Sequence, residues 1–254
     1  MLRVKELTKR FGGLLAVFGV NFEVNPGEIL ALIGPNGAGK TTVFNLVTGV
    51  LQPNGGEILF DDRRLNGLKP FQIAALGIRR TFQNLELFTT LTVAENVMVG
   101  AYHTCRAGFC RSLLRRPGAM KEDQKLYDKA LALLAQVELA DKADWPAGSL
   151  PFGQQRLLEI ARALAGEPKV LLLDEPAAGL NHDESRRLAR FLRSLADSGL
   201  ALALVEHDME TVMGVADRIV VLNFGTVIAT GTVAEIQQNP EVIAAYLGKE
   251  VEAC

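Results

Sequence analysis

Long apolar runs are missing from this chain of 254 residues. Its continuous hydrophobic stretches, such as Leu200 to Val205, are strand-length. A bilayer-spanning helix needs roughly 20 consecutive apolar residues. The N-terminus, Met1-Leu2-Arg3-Val4-Lys5-Glu6, lacks the apolar core of a secretory signal. Any service to a membrane is therefore expected through docking to other chains. Cysteine is scarce, with only Cys105, Cys110 and Cys254, an odd number and no C-x-x-C pair. That pattern argues against a disulfide framework or a zinc site, and for a reducing compartment. No charge surplus exists either: 27 Lys and Arg stand against 29 Asp and Glu. A sequence-independent grip on nucleic acid needs a basic excess, so nucleic acid is not an expected partner.

What is present is strand-like alternation followed by α/β punctuation. Leu2, Val4, Leu7, Val17, Val20, Phe22 and Val24 read as strands, closed by the Pro26-Gly27 turn. Ile29 to Ile33 is an unbroken apolar run, the signature of a strand covered on both faces. Thr41 to Leu51 reads as a helix, and Gly55-Gly56 with Glu57 to Phe60 as an edge hairpin. Thr92-Val93-Ala94-Glu95 fits a capping box. Ala119 to Val137 carries helical spacing, and a further helix runs from after Gly153 to the stop at Gly166-Glu167-Pro168. Strands at Val170–Leu173 and Leu200–Val205 then alternate with helices at Asp183–Ala196 and Met209–Val215. A hairpin around Asn223-Phe224-Gly225 and two short helices, the second near Pro240 to Leu247, finish the chain. A basic cluster of Arg106, Arg111, Arg115 and Arg116 reads as a solvated loop, with lipid headgroups as the alternative contact. These alternating elements indicate an α/β fold with a mainly parallel sheet. The stretch 84–162 shows no convincing strand and reads as a helical subdomain inserted into a core formed by 1–83 and 163–254.

Gly34-Pro35-Asn36-Gly37-Ala38-Gly39-Lys40-Thr41 fits G-x-x-x-x-G-K-[ST], a phosphate-binding loop, with Thr42 following it. Glycines let successive backbone N–H groups converge on phosphate oxygens. The helix behind them adds its positive end. In such a loop Lys40 reaches the outer phosphates and the Thr41 hydroxyl ligates Mg²⁺. The apolar strand Val170 to Leu173 ends in Asp174-Glu175, two adjacent acids. Asp174 suits the metal shell, and Glu175, pointing differently, suits a general base for water. A nucleoside triphosphate and Mg²⁺ are therefore the expected ligands.

With the phosphate loop, Asp174-Glu175-Pro176 and Leu150-Pro151-Phe152-Gly153-Gln154-Gln155-Arg156 on one chain, the sequence resembles the ATP-binding subunits of ABC transporters over nearly its whole length. It is most similar to the LivG-type subunits of branched-chain amino acid importers. The resemblance implies a P-loop (RecA-like) core, an N-terminal antiparallel β-subdomain and an inserted helical subdomain. It also implies roles for further residues. Gln83, in Thr81-Phe82-Gln83-Asn84, matches the glutamine that senses Mg²⁺ and the γ-phosphate. His207, in Glu206-His207-Asp208-Met209, matches the switch histidine. Phe11 matches the aromatic that stacks on adenine, with Val17 lining the same pocket. Leu150, Gly153 and Gln154 belong to the signature that contacts the partner subunit's nucleotide. Asn181, in Ala178-Gly179-Leu180-Asn181, lies in the loop along the dimer interface. Pro151 and Phe152 depart from the usual serine and glycine of the signature, which leaves fewer donors there. Leu85, Leu87 and Phe88 are candidates to receive a permease helix.

The family resemblance further implies a homologous LivF-like ATPase partner, with a homodimer as the alternative. It implies two transmembrane permease subunits, a periplasmic binding protein acting indirectly, and a peripheral place on the cytoplasmic face of the inner membrane. Related cargoes (urea, amides, lipopolysaccharide) are the nearest alternative. A soluble ABC ATPase of repair or translation would carry a second ATPase domain or a coiled-coil insert, and neither is seen. A GTPase would carry N-K-x-D, which the sequence does not contain.

Overall fold

Two clusters of strands organise the first of two compact units in a computed structural model, which describes residues 1–101 and 117–247. The basic cluster of Arg106, Arg111, Arg115 and Arg116 lies outside the described residues, as do Cys105, Cys110, Cys254 and His103. The first unit comprises Met1–Arg80, Lys169–Ala178 and Ser185–Cys254; the second comprises Thr81–Pro168 and Gly179–Glu184.

In the first unit, β1 (Leu2–Phe11) and β2 (Leu14–Val24) form an antiparallel pair, with β4 (Gly55–Phe60) on the other side of β1. The order of this sheet is β2-β1-β4-β5, where β5 is Arg63–Arg64. The segment at Gly55 to Phe60, expected as an edge hairpin, pairs antiparallel with β5 at that edge of the sheet. A two-residue strand covers its outer edge, too short to be read from sequence.

The second sheet has the order β10-β9-β3-β8-β7-β6. Its strands are β3 (Ile29–Ile33), β6 (Ile78–Arg80), β7 (Val170–Asp174), β8 (Ala201–Val205), β9 (Arg218–Asn223) and β10 (Thr226–Gly231). All pairings from β9 to β6 are parallel, and only β10 runs antiparallel. All five residues of β3, of β7 and of β8 are buried, as apolar strands covered on both faces should be. Leu30, Leu32, Leu172, Ala203 and Val220 join Phe44 of α1 (Lys40–Val47) and the inner face of β1 and β2 in one core cluster. Helices α2 (Pro70–Ala75), α7 (Met209–Val215), α8 (Val233–Gln237) and α9 (Pro240–Leu247) belong to this unit.

The second unit is helical among its described residues: α3 (Val93–Ala101), α4 (Pro117–Gln136) and α5 (Phe152–Ala165). The capping box expected at the head of α3 forms: the Thr92 amide donates to Glu95 Oε2 at 2.8 Å, and the Glu95 amide to Thr92 Oγ1 at 3.1 Å. Buried Asn96 anchors the preceding loop, accepting from the Phe88 amide and donating to the Phe88 carbonyl, each at 3.0 Å. Helix α6 (His182–Asp197) begins with three residues of this unit and continues in the first. No helix among the described residues is long and apolar enough to cross a membrane.

Helices α3 and α5 cross where Gly100 meets Arg162; a Cβ on Gly100 would lie 1.9 Å from the Arg162 carbonyl oxygen. Gly100→Ala must therefore push the helices apart. The expected cost is about 1–3 kcal/mol, read as a lowered melting temperature by circular dichroism.

Candidate functional site

Parallel register brings distant residues into one row. Leu32 of β3 pairs with Val205 of β8, and Val205 pairs with Asp174 of β7. The carboxyl ends of three strands thus lie side by side, spanning two strand spacings of about 4.8 Å each. In open parallel sheets this edge is where ligands bind. From it emerge the phosphate loop after Ile33, Glu175 after Asp174, and Glu206-His207 after Val205.

The loop's conformation explains its glycines. Gly34 has φ 149°, and a Cβ there would sit 2.1 Å from the Leu222 carbonyl oxygen. Gly39 caps α1 in the left-handed region at φ 102°, with the Ala16 carbonyl 2.7 Å from where a Cβ would be. The turn of the β9–β10 hairpin braces the loop from outside: the Gly225 amide donates to the Ala38 carbonyl at 3.1 Å, and the Phe18 amide to the Gly225 carbonyl at 2.8 Å. Buried Lys40 curls over the loop, its Nζ donating to the carbonyls of Gly34 at 2.7 Å and Pro35 at 3.1 Å. The ammonium is thus held at the loop's mouth, on carbonyl acceptors it can exchange for phosphate oxygens. Asn36, Gly37 and Thr41 are exposed, while Pro35 and Thr42 are half-buried.

Asp174 is buried and ion-paired: Arg80 Nη2 lies 2.6 Å from Asp174 Oδ2, with both side chains at 5% exposure or less. Arg80 Nη1 also donates to Asn45 Oδ1 of α1 at 2.6 Å. One guanidinium therefore ties the end of β6 to the end of β7 and to the helix behind the phosphate loop. The sequence reading did not include Arg80. Its only local signal was the pair Arg79-Arg80 just before Thr81-Phe82-Gln83.

Glu175 adopts φ 49°, rare for a residue with a side chain. Its amide donates to the Val205 carbonyl at 2.8 Å. Its carboxylate lies beside the next loop. His207 Nδ1 lies 3.8 Å from Glu175 Oε2 and 3.9 Å from Glu206 Oε2. Burial pushes the Glu206 carboxyl above its ordinary range, opposed by the amides of Ala177, His207 and Asp208. Glu206 was also missed. It repeats the pattern of an acid closing a five-residue apolar strand that had marked Asp174.

Phe11 ends β1, partly exposed, with the Lys9 ammonium 5.2 Å from its ring centre. Val17, expected to line the same pocket, is fully buried. It packs inward beneath Gly39, with Cγ2 3.4 Å from where a Cβ of that glycine would lie.

The remaining expected residues group in the helical unit. Gln83 is exposed, and its backbone is gripped by the signature helix. Arg156 of α5 donates to the Phe82 and Gln83 carbonyls, each at 3.0 Å, and pairs with Glu159 at 3.0 Å. Burial pushes the Glu159 carboxyl up, and Arg156 opposes that shift. Leu150 is buried, and its carbonyl accepts from Gln155 Nε2 at 2.8 Å. Pro151 is the N-cap of α5. Gly153 is buried, with Glu184 Oε1 2.6 Å from where a Cβ would stand. Gln154 Oε1 accepts from Lys142 Nζ at 2.8 Å. Phe152 packs its ring edge on Gly179, which has φ 77° and where a Cβ would lie 2.7 Å from Cε1. Asn181 caps α6, accepting from the Glu184 amide at 3.0 Å while its own amide donates to Glu184 Oε2 at 3.0 Å.

Comparison with known proteins agrees with this geometry. Residues 17–178 match the family model described as ABC transporter, and residues 226–252 the one described as branched-chain amino acid ATP-binding cassette transporter. The high-affinity branched-chain amino acid transport ATP-binding protein LivG of Escherichia coli K12 is 47% identical over 250 residues, covering 98% of each chain. The chain belongs to the ABC transporter ATP-binding proteins, in their LivG-type branch.

A corresponding protein of Pseudomonas aeruginosa, BraF, is 45% identical at 98% coverage of each chain. The ADP conformation of an ABC transporter cassette superposes on this ABC ATPase with a TM-score of 0.85, at 31% identity and 98% coverage of both. A bacterial cassette in dimeric form superposes at 0.78, with 27% identity, 92% of this chain and 99% of the other. The expected architecture, an antiparallel β-sheet plus a mainly parallel sheet with helices, is the ABC cassette fold.

Arg80→Met leaves the buried Asp174 carboxylate without its guanidinium. A loss of about 3–5 kcal/mol in unfolding free energy is expected. Adding Asp174→Asn should return at least half of it in urea titrations, since the buried charge is then gone.

Proposed function

We propose that this ABC ATPase is the subunit that energises import of branched-chain amino acids, through ATP hydrolysis at the carboxyl edge of its parallel sheet. The row Leu32–Val205–Asp174 supports the catalytic part of this reading, because residues 34–41, Asp174-Glu175 and His207 follow strands that end along one edge. The cargo rests on the relatives, whose names state branched-chain amino acid transport, and on the C-terminal match.

Phosphoryl transfer to water depends on positioning and charge neutralisation. Lys40 and the loop amides neutralise the phosphates. Glu175 takes the proton of the attacking water, and His207, beside it, holds that water in line. Mg²⁺ suits the donors on offer, the Thr41 hydroxyl and the Asp174 carboxylate, both oxygen ligands. Among the described residues no three His, Cys, Asp or Glu side chains form a cage. The ion would therefore share its shell with phosphate oxygens, supplying charge neutralisation at the outer phosphates. Phe11 stacks on adenine.

The helical unit acts as the signature subdomain: Leu150, Gly153, Gln154 and Asn181 face a partner's nucleotide. That partner is a homologous LivF-like ATPase, and the assembly includes two permease subunits and, indirectly, a periplasmic binding protein. The chain sits peripherally on the cytoplasmic face of the inner membrane, with Leu85, Leu87 and Phe88 as the permease contact.

Glu175→Gln should keep ATP affinity while lowering turnover at least about 100-fold, the scale of a lost general base. Filter binding and phosphate release measure the two separately, and wild-type turnover would remove the assignment. Affinity purification of the tagged chain from membranes should bring down a second ATPase and permease chains. Recovery of this chain alone would contradict the assembly.

A further inference from the structure

Glu206 is the most completely buried carboxylate at the edge just described, at 0% side-chain exposure. A carboxylate is kept in such a place only when hydrogen-bond donors meet it. Ala177 donates its amide to Oε1 at 2.8 Å, and His207 donates its own amide to Oε2 at 3.2 Å. The Asp208 amide faces the same group. The two oxygens thus serve different loops. Ala177 follows Glu175 by two residues on the loop after β7, and His207 stands on the loop after β8. The Glu175 amide independently holds the Val205 carbonyl. The loop after β7 is therefore pinned at two points to the end of β8.

We propose that Glu206 is a positioning residue for ATP hydrolysis, whose carboxylate clamps the Ala177 turn and the His207 backbone together and so fixes the switch histidine against Glu175. This rests on the reading of Glu175 and His207 as the hydrolytic pair. The physical reason is that neither loop can slide without leaving a buried carboxylate oxygen without its donor. Reacting groups tolerate little displacement: an error of about 1 Å can cost on the order of 100-fold in rate. Glutamine cannot replace the clamp. Its single carbonyl oxygen can serve one loop, while its NH₂ would face a backbone N–H, donor against donor.

The test is a kinetic cycle on the full chain with the transporter subunits that purify with it. Glu206→Gln is expected to lower kcat about 10- to 100-fold while nucleotide Kd, measured with a fluorescent ATP analogue, stays within about twofold of wild type. In a His207→Ala background the same substitution is expected to lower kcat by less than about twofold, because the group being positioned is already gone. Wild-type kcat in Glu206→Gln overturns the proposal. So does a loss that multiplies undiminished in the His207→Ala background, which would mark a general structural role. If Glu206→Gln does not fold, Glu206→Asp keeps the charge, withdraws it by one methylene and is read against the same two outcomes. Full turnover in His207→Ala alone would instead overturn the reading of the site, whatever Glu206 does.

Discussion

Everything at the site depends on the parallel hydrogen bonding of β8 between β3 and β7. That pairing sets Leu32, Val205 and Asp174 in one row. The three chain segments leaving the row are then neighbours by construction: the loop at residues 34–41, the loop at Glu206-His207 and the acid pair. Parallel strands enforce such convergence because all their carboxyl ends face the same way. The burial of all three strands on both faces stabilises the row and makes its register costly to change.

The polar groups at this edge are held by named bonds. Arg80 fixes the Asp174 carboxylate and reaches Asn45 on α1. Glu175 is turned by its amide bond to Val205 into a backbone conformation that few side-chain residues adopt. Strain of that kind persists only where the surroundings over-determine it, and here the neighbouring strand does so. The hairpin turn at Gly225 braces the phosphate loop from the far side through Ala38. In the helical unit, Arg156 does the comparable work, gripping the carbonyls of Phe82 and Gln83 from the signature helix.

Local signals were legible in the sequence wherever one element contains its own cause. Unbroken apolar runs gave β3 and β8, and the run ending in acids gave β7. The Thr92–Glu95 capping box and helix Pro240–Leu247 also stood where the pattern put them. What stayed hidden depends on partners far along the chain or on very short elements. Strand β6 has three residues and α2 has six, too few for any periodicity to register. Arg80 meets Asp174 across 94 positions, and Glu206 meets Ala177 across 29. Val17 alternates correctly as a strand residue, but which face of β2 turns inward beneath Gly39 is settled only by packing. Phe152, a departure from the family's signature, has a physical partner in Gly179, whose lack of a side chain makes room for the ring.

A structure of the chain with Mg²⁺ and a non-hydrolysable ATP analogue tests the central claim most directly. The account predicts the triphosphate lying over residues 34–41, its terminal phosphate on the side of Glu175 and His207, and Lys40 released from the Gly34 carbonyl onto phosphate oxygen. Nucleotide bound elsewhere on the chain, with Lys40 still on its own loop, would contradict it.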